Sequence, residues 1–289
     1  MNNHFFIGRN SKSKRLKNFI FSLVCALSTL FLTCKPKEEV LPEYVIIPDA
    51  NFEKALISLK IDSIKDGKVL KQNVLKVTSL SLYYYGNSIS VNDKIKSLSG
   101  IEAFVNLEKL YCPDHSLTSL DLTKNTVLKG LYCSNNQLTN LDVSENTMLT
   151  NLYCNNNQLV KLDVSKSTGM MELECYKNKL ITFDISTGLT LRFLNLSYNQ
   201  LVSLDVSKNT SLIVLDCSNN QLSNIIIGKN LRFLTIPNNQ LSSLDISNNT
   251  AMESLRCYNN KIQFICLNRV HQVLDDWLID PTTAFKVCP

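Results

Sequence analysis

The fold is decided by the stretch Leu107-Glu108-Lys109-Leu110-Tyr111-Cys112-Pro113-Asp114-His115-Ser116-Leu117-Thr118-Ser119-Leu120-Asp121-Leu122-Thr123-Lys124-Asn125-Thr126-Val127, because the same phrase returns every 21 residues. Further units begin at Leu128, Leu149, Met170, Leu191, Leu212, Leu231 and Met252, and the one from Leu212 is two residues short at Ile225-Ile226-Ile227-Gly228-Lys229-Asn230. That makes seven coils and a closing partial one. In Leu110-Tyr111-Cys112 and Leu120-Asp121-Leu122 the flanking apolar residues point inward and the middle residue outward, as a period of two requires. No part of the unit is long enough for a good helix. A single coil cannot bury its own leucines, so stability must come from stacking on neighbours roughly 4.8 Å away, with lids at both ends.

Written L-x-x-L-x-C-x-x-N-x-L-x-x-L-x-V-x-x-N-T-x, the unit resembles the leucine-rich-repeat family, whose signature is L-x-x-L-x-L-x-x-N/C-x-L. The resemblance covers residues 107–267 and implies a leucine-rich-repeat solenoid, an α/β-class right-handed superhelix dominated by short parallel strands. Each half of the unit repeats one phrase, which is similar to the nested subclass of alternating ten- and eleven-residue halves and implies two short strands per coil. Residues 46–106 read as an N-terminal cap and degenerate first repeat. There Asp49 caps a helix carrying Phe52, Ala55, Leu56 and Leu59, and Val77, Leu80 and Leu82 form an opening strand. The run Ile95 to Ile101, continuing through Phe104-Val105-Asn106, is similar to the junction in internalin-like bacterial repeat proteins. Residues 268–289 read as a C-terminal cap, with Val270, Val273, Leu274, Trp277 and Leu278 on one helical face.

The first 33 residues hold no acidic residue and place Arg9, Lys12, Lys14, Arg15 and Lys17 ahead of the apolar run Phe19 to Leu32, a signal-peptide pattern. That run is 14 residues, shorter than the ~20 a membrane-crossing helix needs. It ends in Leu32-Thr33-Cys34, followed by Lys35-Pro36-Lys37-Glu38-Glu39, and resembles a bacterial lipoprotein lipobox with Cys34 as the lipidated residue. Thr33 departs from the Gly, Ala or Ser preferred there, so cleavage by an ordinary signal peptidase and secretion is the alternative. Residues 34–45 read as a tether, and Lys37-Glu38-Glu39 is similar to the charged signal that sends some lipoproteins to the outer face of the outer membrane. Membrane contact is then through the lipid anchor only. The five leader cations equal the whole formal charge of +5, so the mature chain is near neutral, which argues against nucleic acid as a partner.

Three recurring positions invite a chemical reading. Asn136, Asn157, Asn178, Asn199, Asn220, Asn239 and Asn260 hold position nine, with His115 in the first unit, and read as a buried amide ladder that satisfies corner backbone groups. Cys112, Cys133, Cys154, Cys175, Cys217 and Cys257 hold position six, where Leu196 and Ile236 also occur, so the slot is an apolar one. Stacked thiols about 4.8 Å apart suit neither a disulfide nor a tetrahedral zinc, and no metal site or cofactor is expected. Asp121, Asp142, Asp163, Asp184, Asp205 and Asp245 form an outward column that either bonds to adjacent Ser, Thr and backbone donors or bridges calcium. Cys266 and Cys288 lie outside the ladder and, in an exported protein, invite a disulfide, against two separately buried thiols.

Catalysis has little to stand on: His4, His115 and His271 pair with no evident nucleophile, and no phosphate-cradling glycine loop occurs. The chain reads as no enzyme. Positions three and five of each coil point onto the face that the family uses for recognition. Candidate ligand-binding residues there are Tyr111, Tyr132, Tyr153, Glu174, Phe193, Asn195, Asp216, Phe233 and Arg256. The expected function is a non-catalytic surface lipoprotein binding a protein, with a glycan as second choice. The internalin-like resemblance implies a host component as that partner. The alternative is a structural envelope lipoprotein facing the periplasm, with no host ligand.

Overall fold

The computed structural model describes residues 42–83, 93–185, 190–270 and 273–288, so the expected signal peptide and Cys34 lie outside the described residues. From residue 43 onward the chain forms one solenoid unit. It opens with β1 (Tyr44–Ile46), α1 (Ala50–Ser58), β2 (Lys68–Leu70) and α2 (Lys71–Val74), β1 and β2 pairing antiparallel. Asp49 begins α1 by accepting the Asn51 and Phe52 amides through Oδ1 at 2.9 and 3.0 Å. Its Oδ2 takes the Lys96 and Ser97 amides at 2.8 and 3.0 Å, so one carboxylate both starts the helix and ties it to the segment entering the repeats. Phe52 of α1 and Phe104 are fully buried with ring centroids 6.4 Å apart, which seals the first coil. Gly100 sits at φ 102°, where an added Cβ would lie 2.7 Å from the Ile46 carbonyl, so only glycine lets this connection pass.

The first strands of successive coils are β3 (Ser79–Ser81), β4 (Lys109–Tyr111), β5 (Gly130–Tyr132), β6 (Asn151–Tyr153), β7 (Glu172–Glu174) and β8 (Phe193–Asn195). The second strand β9 (Ser203–Asp205) follows, then β10 (Val214–Asp216), β11 (Asn224–Ile226), β12 (Phe233–Thr235), β13 (Ser243–Asp245), β14 (Ser254–Arg256) and β15 (Phe264–Leu267). Strands β3 to β8, β10, β12 and β14 make one nine-stranded parallel sheet in coil order. Second-strand pairing joins β9 to β11 and β13 to β15. In the earlier coils the alternation persists, Leu120 and Leu122 buried about an exposed Asp121, but without ladder pairing among the described residues. Two paired strands per coil are therefore present only in the later coils, and nothing in the side chains there accounts for the difference.

Leucines at positions one, four, eleven and fourteen, with the cysteines at six, fill the interior. Each fully buried leucine is worth about 1.5–3 kcal/mol, so stacking rather than local propensity holds the coils. Corners are made by position eight, which is left-handed in every coil from Asp114 (φ 63°) to Asn259 (φ 55°). Asn and Asp tolerate that conformation; Lys177 (φ 51°) and Tyr198 (φ 54°) adopt it at a cost.

At the far end the expected helical cap is replaced by strand. Leu278 forms a parallel bridge to Arg256, and β16 (Ala284–Val287) pairs parallel with β15. Residues 273–288 thus act as a truncated further coil. The reason is hydrogen bonding: the last coil presents unpaired backbone groups, which a helix laid across them could not satisfy. Leu278 accepts the Cys257 amide and donates to Leu255, while Asp280 takes the Asn259 and Asn260 amides at 2.8 and 3.1 Å. Of the five residues assigned to a helical face, Trp277 is buried, whereas Val270 is 75% exposed. Cys266 and Cys288 are joined by a disulfide, with Cα atoms 5.4 Å apart, which pins β16 to the stack.

Candidate functional site

The corner ladder fixes the frame on which any site must be built. Asn157 Oδ1 accepts the Leu138 amide of the preceding coil at 3.0 Å, while its Nδ2 donates to the Cys133 and Cys154 carbonyls at 3.1 and 3.0 Å. The same arrangement recurs at Asn136, Asn178, Asn199, Asn220, Asn239 and Asn260. In the first unit His115 stands in, its Nε2 3.1 Å from the Leu82 carbonyl, and burial lowers its pKa. A second ladder, to which the sequence reading gives no role, lies at position nineteen. Asn125 donates to Ile101 and Phe104, Asn146 to Leu122 and Asn125, and Asn249 to Gly228, all buried. The signal is present in the N-T of the unit at Asn125, Asn146, Asn209 and Asn249, though it recurs less regularly than the first asparagine, with Ser167 and Gly188 breaking it.

With the corners fixed, side chains at positions three and five stack in register along the sheet. Tyr111 lies opposite Tyr132 and Tyr132 opposite Tyr153, with ring centroids 4.4 and 4.9 Å apart and planes within 9° and 26°. Gly130 makes room for this, since a Cβ there would meet the Tyr132 ring at 3.0 Å. The column continues through Glu174, Asn195, Asp216, Thr235 and Arg256. The neighbouring column carries Glu172, Phe193, Val214 and Phe233. All nine candidate residues therefore share one face of one sheet. Asn195 and Asp216 also accept the amides two residues on, at 3.0 and 2.9 Å, which fixes their side chains.

Between the tyrosine stack and Thr235 lies a depression of about 430 Å³ lined by Tyr153, Glu172, Glu174, Phe193, Val214 and Asp216 among others. The Tyr153 hydroxyl donates to the Glu172 carboxylate. Burial, then that bond to Glu172, pushes the Tyr153 phenol up, and burial followed by repulsion from Glu172 raises the Glu174 carboxyl. Glu172 is placed on this face by alternation alone, yet only the structure reveals that it joins the stack to the depression.

The remaining columns bond or pack within the frame. Asp121, Asp142, Asp163, Asp205 and Asp245 each accept the amide two residues on, at 3.0, 3.0, 2.8, 2.9 and 2.8 Å. Those bonds hold the carboxyls of Asp121, Asp142 and Asp163 low. Among the described residues no three His, Cys, Asp or Glu side chains converge on a common metal position. The six ladder thiols are buried, and burial raises their pKa, that of Cys133 to about 12.

No protein-family model and no curated protein matches this chain. Solved structures do. The functional domain of InlJ from Listeria monocytogenes, described as including a cysteine ladder, is 28% identical over 79% of this chain, with a TM-score of 0.59. The chain spans 57% of that domain's length. Internalin C2 from the same organism is 19% identical over 75% of this chain and 87% of its own, with a TM-score of 0.53. The chain has the leucine-rich-repeat fold. A leucine-rich-repeat ectodomain from an Arabidopsis thaliana receptor kinase, solved in complex with Casparian strip integrity factor 2, is 24% identical over 64% of this chain and 26% of its own, with a TM-score of 0.53.

Proposed function

We propose that this chain is a non-catalytic lipoprotein, held at the outer surface of the outer membrane by a lipid on Cys34, that binds a protein partner through the sheet face. The observation that carries this reading is the half-buried aromatic column of Tyr111, Tyr132 and Tyr153 running along the outer face of the sheet into the carboxylate-rimmed depression. Stacked tyrosines on a solvated face cost solubility and supply rigid contact area, which suits an interface better than a bare scaffold. Phe193, 45% exposed, extends that apolar surface toward Phe233. One leucine-rich-repeat ectodomain of the same fold was solved in complex with Casparian strip integrity factor 2, which accords with a binding use of the fold here.

The test is capture of partners by the full chain, compared with the variant Tyr111→Ser, Tyr132→Ser, Tyr153→Ser. Loss of three central aromatic anchors is expected to weaken capture by about 2–4 kcal/mol while circular dichroism and melting change little. A folded triple variant that captures the same partner equally well refutes the reading and leaves the stack as sheet reinforcement, worth about 0.2–1 kcal/mol per pair. Protease treatment of intact cells tests the anchor's placement: the surface-held protein is degraded, whereas a periplasm-facing one survives.

A further inference from the structure

The depression on the sheet face has a chemistry of its own. Phe193 and Val214 supply its apolar part, while Glu172, Glu174 and Asp216 supply carboxylates around it. No Lys, Arg or His lines it. None of the five ion pairs among the described residues involves Glu172, Glu174 or Asp216. Glu172 and Glu174 sit two residues apart on β7 and so share one face, repelling each other. Glu174 and Asp216 are separated by two strand spacings, roughly 9–10 Å, too far to converge on a divalent ion at roughly 2.4 Å from each oxygen. An extended cationic side chain fits where a bare ion does not, because its methylene stem can cover aromatic and aliphatic surface while its head reaches the acids. The Tyr153 ring, at the edge of the depression, adds a π face suited to the same charge.

We propose that this depression receives a lysine or arginine side chain of the protein partner. The stem would lie against Phe193 and Val214 and the head would pair with Glu174, with Glu172 and Asp216 adding longer-range attraction; none of the three has a cationic partner among the described residues. The inference rests on the protein-binding reading of the sheet face and names the partner's chemistry there.

A library of random twelve-residue peptides displayed on phage, selected on the full chain and again on variants, tests it. Selected peptides are expected to be enriched in Lys or Arg beside an apolar residue. Binding of individual peptides is expected to fall by about tenfold for Glu174→Gln and again for Asp216→Asn, with unchanged melting. Glu174→Lys is expected to switch the selected peptides toward acidic residues, a change that a merely structural role would not produce. Peptides that lose binding in the triple tyrosine variant but carry no basic enrichment overturn this proposal and leave the face reading standing. Peptides indifferent to the tyrosine substitutions, or no enrichment at all, overturn both.

Discussion

Asn157→Ala is the sharpest test of how the solenoid is held together. Asn157 is 8% exposed and makes one acceptor and two strong donor contacts within its own coil and the preceding one. The two donor contacts are duplicated: the Cys133 carbonyl also accepts from Asn136 at 3.1 Å and the Cys154 carbonyl from Asn178 at 3.1 Å. The Leu138 amide has no second acceptor, so truncation orphans a buried N–H, which costs about 1–3 kcal/mol. Losing two redundant bonds adds about 0.5–1.5 kcal/mol each, giving about 4 kcal/mol in all. For a unit of this size that corresponds to a melting drop of about 8–16 °C by circular dichroism. Asn157→Asp keeps the acceptor but turns a carboxylate oxygen toward two carbonyls, so at neutral pH it should fall further than Ala. Its carboxyl would be raised in the folded state, so the folded form binds a proton first and stability returns as pH falls. An Ala variant melting within about 2 °C of the parent refutes the claim that the corner amide carries the coil.

The remaining predictions probe separate parts of the same frame. Reducing the Cys266–Cys288 bridge, which closes a loop of sequence separation 22, is expected to cost about 3 kcal/mol, with faster amide exchange in β15 and β16 and none in β5. The ladder thiols should stay silent to a thiol reagent at pH 8 in the native protein and react only in denaturant, since Cys133 is pushed up to about 12 by burial; native modification of Cys112 or Cys133 would contradict the packing. Lys177→Asn should stabilise by about 1 kcal/mol, because Asn adopts the left-handed corner more readily and can extend the exposed ladder in which Asn156 donates to Asn135. A lower melting temperature would show that the Lys177–Tyr198 contact matters more. Asp121, Asp163 and Asp205 have carboxyls held low by bonds to the following Thr or Ser, so their contribution is present above the ordinary value of 3.8 and is lost as pH falls through their lowered folded values. Carbon-detected titration should show that order.

Most of the coil was legible because the sequence states it many times. Leu110, Cys112, Leu117 and Leu120 recur in register, and a period of two leaves one choice of which side is buried. The nine candidate face residues follow from the same alternation, since a residue between two buried ones has nowhere else to point. The C-terminal cap was not legible, because it occurs once. Val270, Val273, Leu274, Trp277 and Leu278 match a helical spacing, yet what decides the segment is a partner it must satisfy, the open strand edge at Arg256 and Cys257. The depression was not legible either. It depends on how far Tyr153, Glu172 and Phe193 lean across neighbouring strands, a property of rotamers and register that no single coil encodes.

A repeat protein carries an internal comparison that separates structural from functional residues without any homologue. Where a position does the same mechanical task in every coil, its residue recurs: Asn at nine, Cys or a close apolar substitute at six, Asp at fifteen. The structure supplies the task in each case, a corner bond, a buried slot and an amide accepted two residues on. Position five faces outward on the same backbone with no task common to every coil, although Asn195 and Asp216 each accept an amide two residues on, and it runs Tyr111, Tyr132, Tyr153, Glu174, Asn195, Asp216, Thr235 and Arg256. If only sheet stability acted there, the stacking of β-branched and aromatic residues would favour repeating one good pair along the column. The run instead breaks after Tyr153 into acids and amides, placing Glu174 beside Glu172 at a cost in repulsion and burial. Variation that works against stability on an otherwise uniform frame is what a surface shaped by a partner would show, and the acids at its centre are where that partner's charge should be sought.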